Sequence, residues 1–267
     1  MSDISERILF STEKGVAIIR MNRPDKKNAL TGDMYSRMSE ALDTANADEA
    51  VNAILILGTP GAFSAGNDIA DFMQVAMSGK REDMSVFGFL ERIIQAPKPL
   101  FAGVDGLAIG IGTTMLMHCD YVVASDQSLF KTPFVDLGLV PEAGSSLIGP
   151  HMMGYHKAFS LLGMGEAFSS EDARDAGFVT RICSSNELEE TALAAAQNIA
   201  SEPQQAVKLS RDMLRGDREM VGDFFDVKPT TDVQSTLEEI VAKLPNTVYS
   251  EYSARVVFYS QLVLGRS

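Results

Sequence analysis

Between residues 15 and 60 the chain changes hydrophobic period twice, and that switch constrains its fold more than any other feature. GVAIIRMN (15–22) alternates and then runs apolar, the pattern of a strand, and RPDKKNA follows as a turn. TGDMYSRMSEALDTANAD then puts Met34, Met38, Leu42 and Ala45 on one stripe, an amphipathic helix with Thr31 as its N-cap. AVNAILILGT is a short β-branched-rich run ending in Gly-Thr, typical of a buried parallel strand. Strand, helix and strand in that order make an α/β fold.

The remainder extends the pattern. PLFAGVDGLAIGIGTTMLMHCD (99–120) passes from a strand through closely spaced glycines into a helix-like apolar segment, and YVVASD reads as another strand. MQVAMSGKREDM (73–84) reads as a loop leading into the helix SVFGFLERIIQ. Beyond about residue 150 the strand signal fades. SEDARDAG carries an N-cap and a glycine stop, and ELEETALAAAQNIAS and EPQQAVKLSRDMLRG are helices. The division expected is an α/β core over residues 1–200 and a helical C-terminal region over 201–267.

Composition narrows the function. The 267 residues carry 23 basic and 36 acidic side chains, a net charge of −13, which argues against general nucleic-acid binding. No run of eighteen apolar residues suggests a membrane span, and MSDISERILF does not read as a signal peptide. Cys119 and Cys183 lie in apolar surroundings and suggest buried thiols in a reducing cytoplasm. His118, His151 and His156 form no metal-ligand spacing, and neither a nucleophile elbow nor a phosphate loop occurs.

Three stretches remain as candidates for chemistry. FSAGND (63–68) follows a strand and GLAIGIG (106–112) opens a helix. Glycine lets peptide N–H groups approach a ligand closely, and a helix start adds unpaired donors. Two such turns facing each other would form an oxyanion hole; singly, each reads equally as a tight connection. In PFVDLGLVPEAG (133–144) Glu142 stands among apolar neighbours with Asp136 as its one charged companion. It reads either as a helix-start residue favoured by the dipole or as a proton carrier whose pKa is raised by burial.

The order NRPDKKNAL, FSAGNDIADF, KPLFAGVDGLAIGIGTTMLMHCDYVVASDQSLFKTPFVDLGLVPEAGSS and EDARDAGFVTRI, over roughly residues 8–215, resembles the crotonase superfamily of enoyl-CoA hydratases and isomerases. The resemblance implies a crotonase-like (ββα)n spiral whose helical C-terminal region mediates trimers, often paired as hexamers. It implies acyl-CoA substrates and no separate cofactor, coenzyme A being part of the substrate. By position, the backbone N–H groups of Asn67 and Ile111 would form the oxyanion hole, with Gly66 and Gly110 allowing close approach. Ser64, Ala65, Asp68, Ile69, Phe134, Leu137, Lys26 and Phe258 complete the expected substrate-binding set. Arg23, Lys26 and Lys27 would meet coenzyme A phosphates or else form a solvated turn, and for Asp68 the preferred reading is a carboxylate that accepts backbone N–H groups to fix its own turn.

The two glutamates that activate water in the hydratases of this family are replaced here by Thr114 and Phe134. Glu142 instead matches the single catalytic glutamate of the peroxisomal-type Δ3,Δ2-enoyl-CoA isomerase branch, which makes isomerase the first expectation. Dehalogenation, hydrolysis or hydration of acyl-CoA, and a non-catalytic acyl-CoA-binding role, are the alternatives. The segment 216–247 departs from the family pattern.

Overall fold

The computed structural model describes residues 6–68, 70–71 and 85–215; the expectations for Ile69, Phe258 and the 73–84 and 216–247 segments lie outside the described residues. The chain opens with a hairpin, β1 (Ile8–Glu13) and β2 (Val16–Met21), and then helix α1 (Gly32–Ala47). Thr31 caps α1 by accepting the Met34 N–H at 3.4 Å, and Met34, Met38, Leu42 and Ala45 are all buried, as their spacing predicts. Next come β3 (Ala53–Leu57), β4 (Ala62–Ser64), α2 (Ser85–Gln95), β5 (Leu100–Val104) and β6 (Leu107–Ile109). The short helix α3 (Ile111–Thr114) continues as a 3-10 turn (Met115–His118) and leads into β7 (Tyr121–Ser125) and β8 (Leu129–Lys131).

These strands form two interleaved sheets. With the later strands β9 (Phe168–Ser169) and β10 (Arg181–Cys183), one has the order β1-β2-β3-β5-β7-β10 and the other β4-β6-β8-β9, so from β3 to β8 successive strands alternate between the sheets. The helices α4 (Ser145–Ala158), α5 (Ser170–Asp175), α6 (Leu188–Ala200) and α7 (Gln204–Arg215) occupy the later part. Two strands there escape sequence reading: β9 closes the smaller sheet antiparallel to β8, and β10 adds a parallel edge to the larger.

Strand alternation divides the core. Ile54 and Ile56 of β3 face the main cluster with α1, whereas Ala53, Leu55 and Leu57 face Leu188, Ala192, Ala196 and Ala200 of α6. That small-residue stripe lets α6 lie close on the sheet. A Cβ at Gly103 would meet the Leu57 Cδ2 at 2.6 Å and the Ala192 Cβ at 3.2 Å. Ser169 caps α5 through a full capping box with Asp172, again as its sequence predicts. Cys119 and Cys183 are both free thiols.

Candidate active site

The two glycine turns meet across the smaller sheet. β4 pairs with β6 in parallel, with Ser64 opposite Ala108. A Cβ at Gly66 would lie 2.8 Å from the Ile109 carbonyl oxygen, and one at Gly112 would lie 2.8 Å from that of Ser64. Glycine is therefore needed on both sides of the contact, and Gly66 and Gly110 also take left-handed φ angles of 88° and 56°.

The geometry isolates two donors. Leu30 donates its N–H to the Gly66 carbonyl and accepts from Asp68 N–H, both at 2.8 Å, so the intervening Asn67 N–H points the other way. On the second turn Gly110 N–H bonds the Lys131 carbonyl, and the Thr113 and Thr114 N–H groups return to the Gly110 carbonyl. Among the described residues, neither Asn67 N–H nor Ile111 N–H has an acceptor. These are the two positions the resemblance assigns to an oxyanion hole.

Glu142 does not open a helix. Gly144 is the N-cap of α4 and Ser145 its first residue, which leaves Glu142 outside the first turn and removes the dipole reading. Ala143 and Gly144 both adopt left-handed φ, 55° and 65°, an unusual state for alanine. His118 Nε2 contacts the Ala143 carbonyl at 2.8 Å, and Ser145 donates through its N–H and hydroxyl to the Glu142 carbonyl at 2.9 and 2.6 Å. The backbone is thus held on both sides while no described residue bonds the Glu142 carboxyl. Loss of water alone pushes that half-buried carboxyl up to about 7. Phe134 is buried in the main core cluster and Thr114 is fully buried.

Other expected ligand contacts are engaged in holding the turns. Ser64 is fully buried; its hydroxyl donates to the Asn28 carbonyl at 2.9 Å and accepts Gly66 N–H at 3.1 Å. Ala65 N–H bonds the Lys27 carbonyl. Asp68 takes Ala70 and Asp71 N–H and pairs with Arg23 at 2.7 Å. Burial opposes ionisation of Asp68, but the Arg23 hydrogen bond and charge and the two turn N–H groups outweigh it and hold the carboxyl below the usual range. Arg23 also bonds the Ala29 carbonyl, so it braces the first turn. Lys26 and Lys27 are exposed on a 3-10 turn, and Leu137 is half-buried in another. Asp136 pairs with Lys131 at 3.4 Å. Asp120 accepts Leu100 N–H and holds Arg211 at 2.8 Å and Arg215 at 3.0 Å.

Sequence reasoning missed three supports. Asn28 is fully buried at φ 54° and ties Arg23 N–H, the Thr59 hydroxyl and the Ala62 carbonyl together. His118 anchors the Glu142 loop, and Tyr35 donates its hydroxyl to Asn67 Oδ1 at 2.5 Å. The one sequence signal for Asn28 was its place in a turn, where asparagine tolerates left-handed φ.

Comparison with known proteins agrees with this arrangement. Residues 11–223 match the family model for enoyl-CoA hydratase/isomerase. Enoyl-CoA delta isomerase 2 of Rattus norvegicus is 36% identical over 217 residues; the match covers 79% of this chain and 55% of that protein, so the chain spans about half the length of this relative. The mitochondrial enoyl-CoA hydratase of Pongo abelii is 31% identical, covering 77% of this chain and 70% of the relative. Among solved structures, an enoyl-CoA hydratase/isomerase from Pseudoalteromonas atlantica superposes with a TM-score of 0.78 at 33% identity, covering 94% of this chain and 96% of that one. With the interleaved sheets, the paired glycine turns and the family match in hand, the chain belongs to the enoyl-CoA hydratase/isomerase family of the crotonase superfamily.

Proposed function

We propose that the protein is a Δ3,Δ2-enoyl-CoA isomerase in which Glu142 is the single acid–base group. The observation that carries this reading is a carboxyl held near pKa 7 by burial, with threonine and phenylalanine where a hydratase has its two carboxylates. Glu142 takes a proton from C2 of a 3-enoyl thioester, and the C–H electron pair moves toward the carbonyl oxygen to form a dienolate. The Asn67 and Ile111 N–H groups stabilise that oxygen without reorganising. Glu142 then returns the proton at C4, leaving the double bond between C2 and C3. One base suffices for both transfers.

The reaction is redox-neutral and needs no cofactor beyond the coenzyme A of its substrate. We place it in the cytoplasm as a trimer or hexamer. Exposed Val135, Tyr155, Phe159 and Met164 support an apolar face covered by another subunit.

The test is conversion of 3-hexenoyl-CoA to 2-hexenoyl-CoA beside hydration of crotonyl-CoA. Isomerisation should dominate, and kcat/KM should rise with pH through about 7, because burial keeps the base protonated below it. Hydration as the faster reaction would overturn the assignment.

A further inference from the structure

We propose that Tyr35 is a positioning residue that parks the Asn67 carboxamide away from the oxyanion hole. The inference rests on the reading of the Asn67 and Ile111 amides as donors to a thioester carbonyl. Any residue at position 67 would supply the backbone N–H, so the side chain is what needs explaining. A carboxamide oxygen is an acceptor much like a thioester carbonyl, and asparagine readily bonds backbone N–H groups in its own vicinity. Here two N–H groups without acceptors lie on the adjoining turns. An unrestrained Asn67 side chain would compete for them from a tether, at high effective concentration.

The structure removes that competition. Asn67 Oδ1 accepts from the Tyr35 hydroxyl at 2.5 Å. Tyr35 is buried and firmly placed: its N–H bonds the Thr31 carbonyl at 3.0 Å, its carbonyl accepts from the Ser39 hydroxyl at 2.8 Å, and its ring packs on Phe89 with centroids 5.5 Å apart. Leu30, just before α1, holds the backbone on either side of Asn67. One segment therefore fixes residue 67 twice, aiming its N–H outward through Leu30 and drawing its oxygen inward through Tyr35. A hydroxyl on a ring this buried makes its hydrogen bond within the protein, and here Asn67 Oδ1 accepts it.

The consequence is a block that Tyr35 prevents. If the freed oxygen fills the hole in nine of ten molecules, apparent affinity falls about tenfold while saturated turnover is unchanged. The experiment measures Kd for hexanoyl-CoA, an unreactive thioester, by calorimetry, with kcat and KM for 3-hexenoyl-CoA alongside. Tyr35→Phe keeps the ring packing and should raise Kd and KM about tenfold with kcat within about twofold. In an Asn67→Ala background the same substitution should change Kd by less than about twofold, because no carboxamide remains to intrude. Equal penalties in both backgrounds, or no change in Kd on Tyr35→Phe, would overturn the proposal. Wild type that binds hexanoyl-CoA without isomerising 3-hexenoyl-CoA overturns the isomerase reading alone, since the Kd comparison still decides the role of Tyr35. Absence of hexanoyl-CoA binding overturns both.

Discussion

In the larger sheet β2, β3, β5 and β7 each have a hydrogen-bonded neighbour on both sides, and alternate side chains feed two apolar clusters. Around the smaller sheet the backbone repeatedly leaves regular geometry. Gly66, Gly110, Gly138, Ala143 and Gly144 take left-handed φ, two N–H groups have no acceptor among the described residues, and one carboxyl is raised to about 7. The same chain builds both sheets in alternation, so the regular one serves as the frame against which the irregular one is held. Strained backbone and unmet donors persist where surrounding structure over-determines them. The division is testable, because changes beside the smaller sheet should alter rate and changes in the larger should alter stability.

The largest effect is expected at Glu142. Glu142→Gln keeps shape but cannot carry the proton, and kcat should fall about 10³-fold with the fold intact. Steady-state kinetics beside a thermal melt checks both halves. A mutant with wild-type kcat would remove Glu142 from the chemistry and leave the irregular region without its base.

A matched pair of glycines sharpens the contrast. Gly112→Ala forces a Cβ against the Ser64 carbonyl oxygen, 2.8 Å away, and must push the two donor turns apart. Losing alignment of one donor should lower kcat/KM about 10²-fold. Gly103→Ala is crowded too, but by the Leu57 and Ala192 side chains between β5 and α6. It should destabilise by about 1–3 kcal/mol with little change in kcat/KM of the folded fraction. If both glycines cost only stability, the distinction between frame and site fails.

What was legible in the sequence follows the same boundary. β2, β3 and α1 were readable because apolar runs declare their own period. β9 has two residues and β10 three, too few to show alternation, and β1 has one buried and five exposed residues. Asn67, Ile111 and Glu142 were picked out as candidates because motif order marks them. Asn28, Tyr35 and His118 were not, since each acts on a partner 25 to 34 residues away. A side chain whose role depends on a tertiary contact leaves no local trace. The same holds for Arg23, whose pairing with Asp68, 45 residues away, no local pattern announces.

The smallest effect separates two adjacent threonines of α3, the short helix that follows the smaller sheet's β6. Both are fully buried. The Thr113 hydroxyl donates to the Ala108 carbonyl at 2.5 Å, tying the helix back to β6, whereas the Thr114 hydroxyl has no hydrogen-bond partner among the described residues. Valine has nearly the same shape, so the substitution isolates the hydroxyl. Thr113→Val should destabilise by about 1–2 kcal/mol, because it breaks a bond and leaves a buried carbonyl with less support. Thr114→Val loses no bond and sheds the desolvation cost of an unpaired hydroxyl, so it should stabilise by about 1 kcal/mol. Urea denaturation of the two variants reads the difference. Opposite signs at neighbouring positions would show that the fold tolerates an unsatisfied hydroxyl at 114 while it depends on the bonded one at 113. Destabilisation of similar size at both would mean that position 114 belongs to the frame.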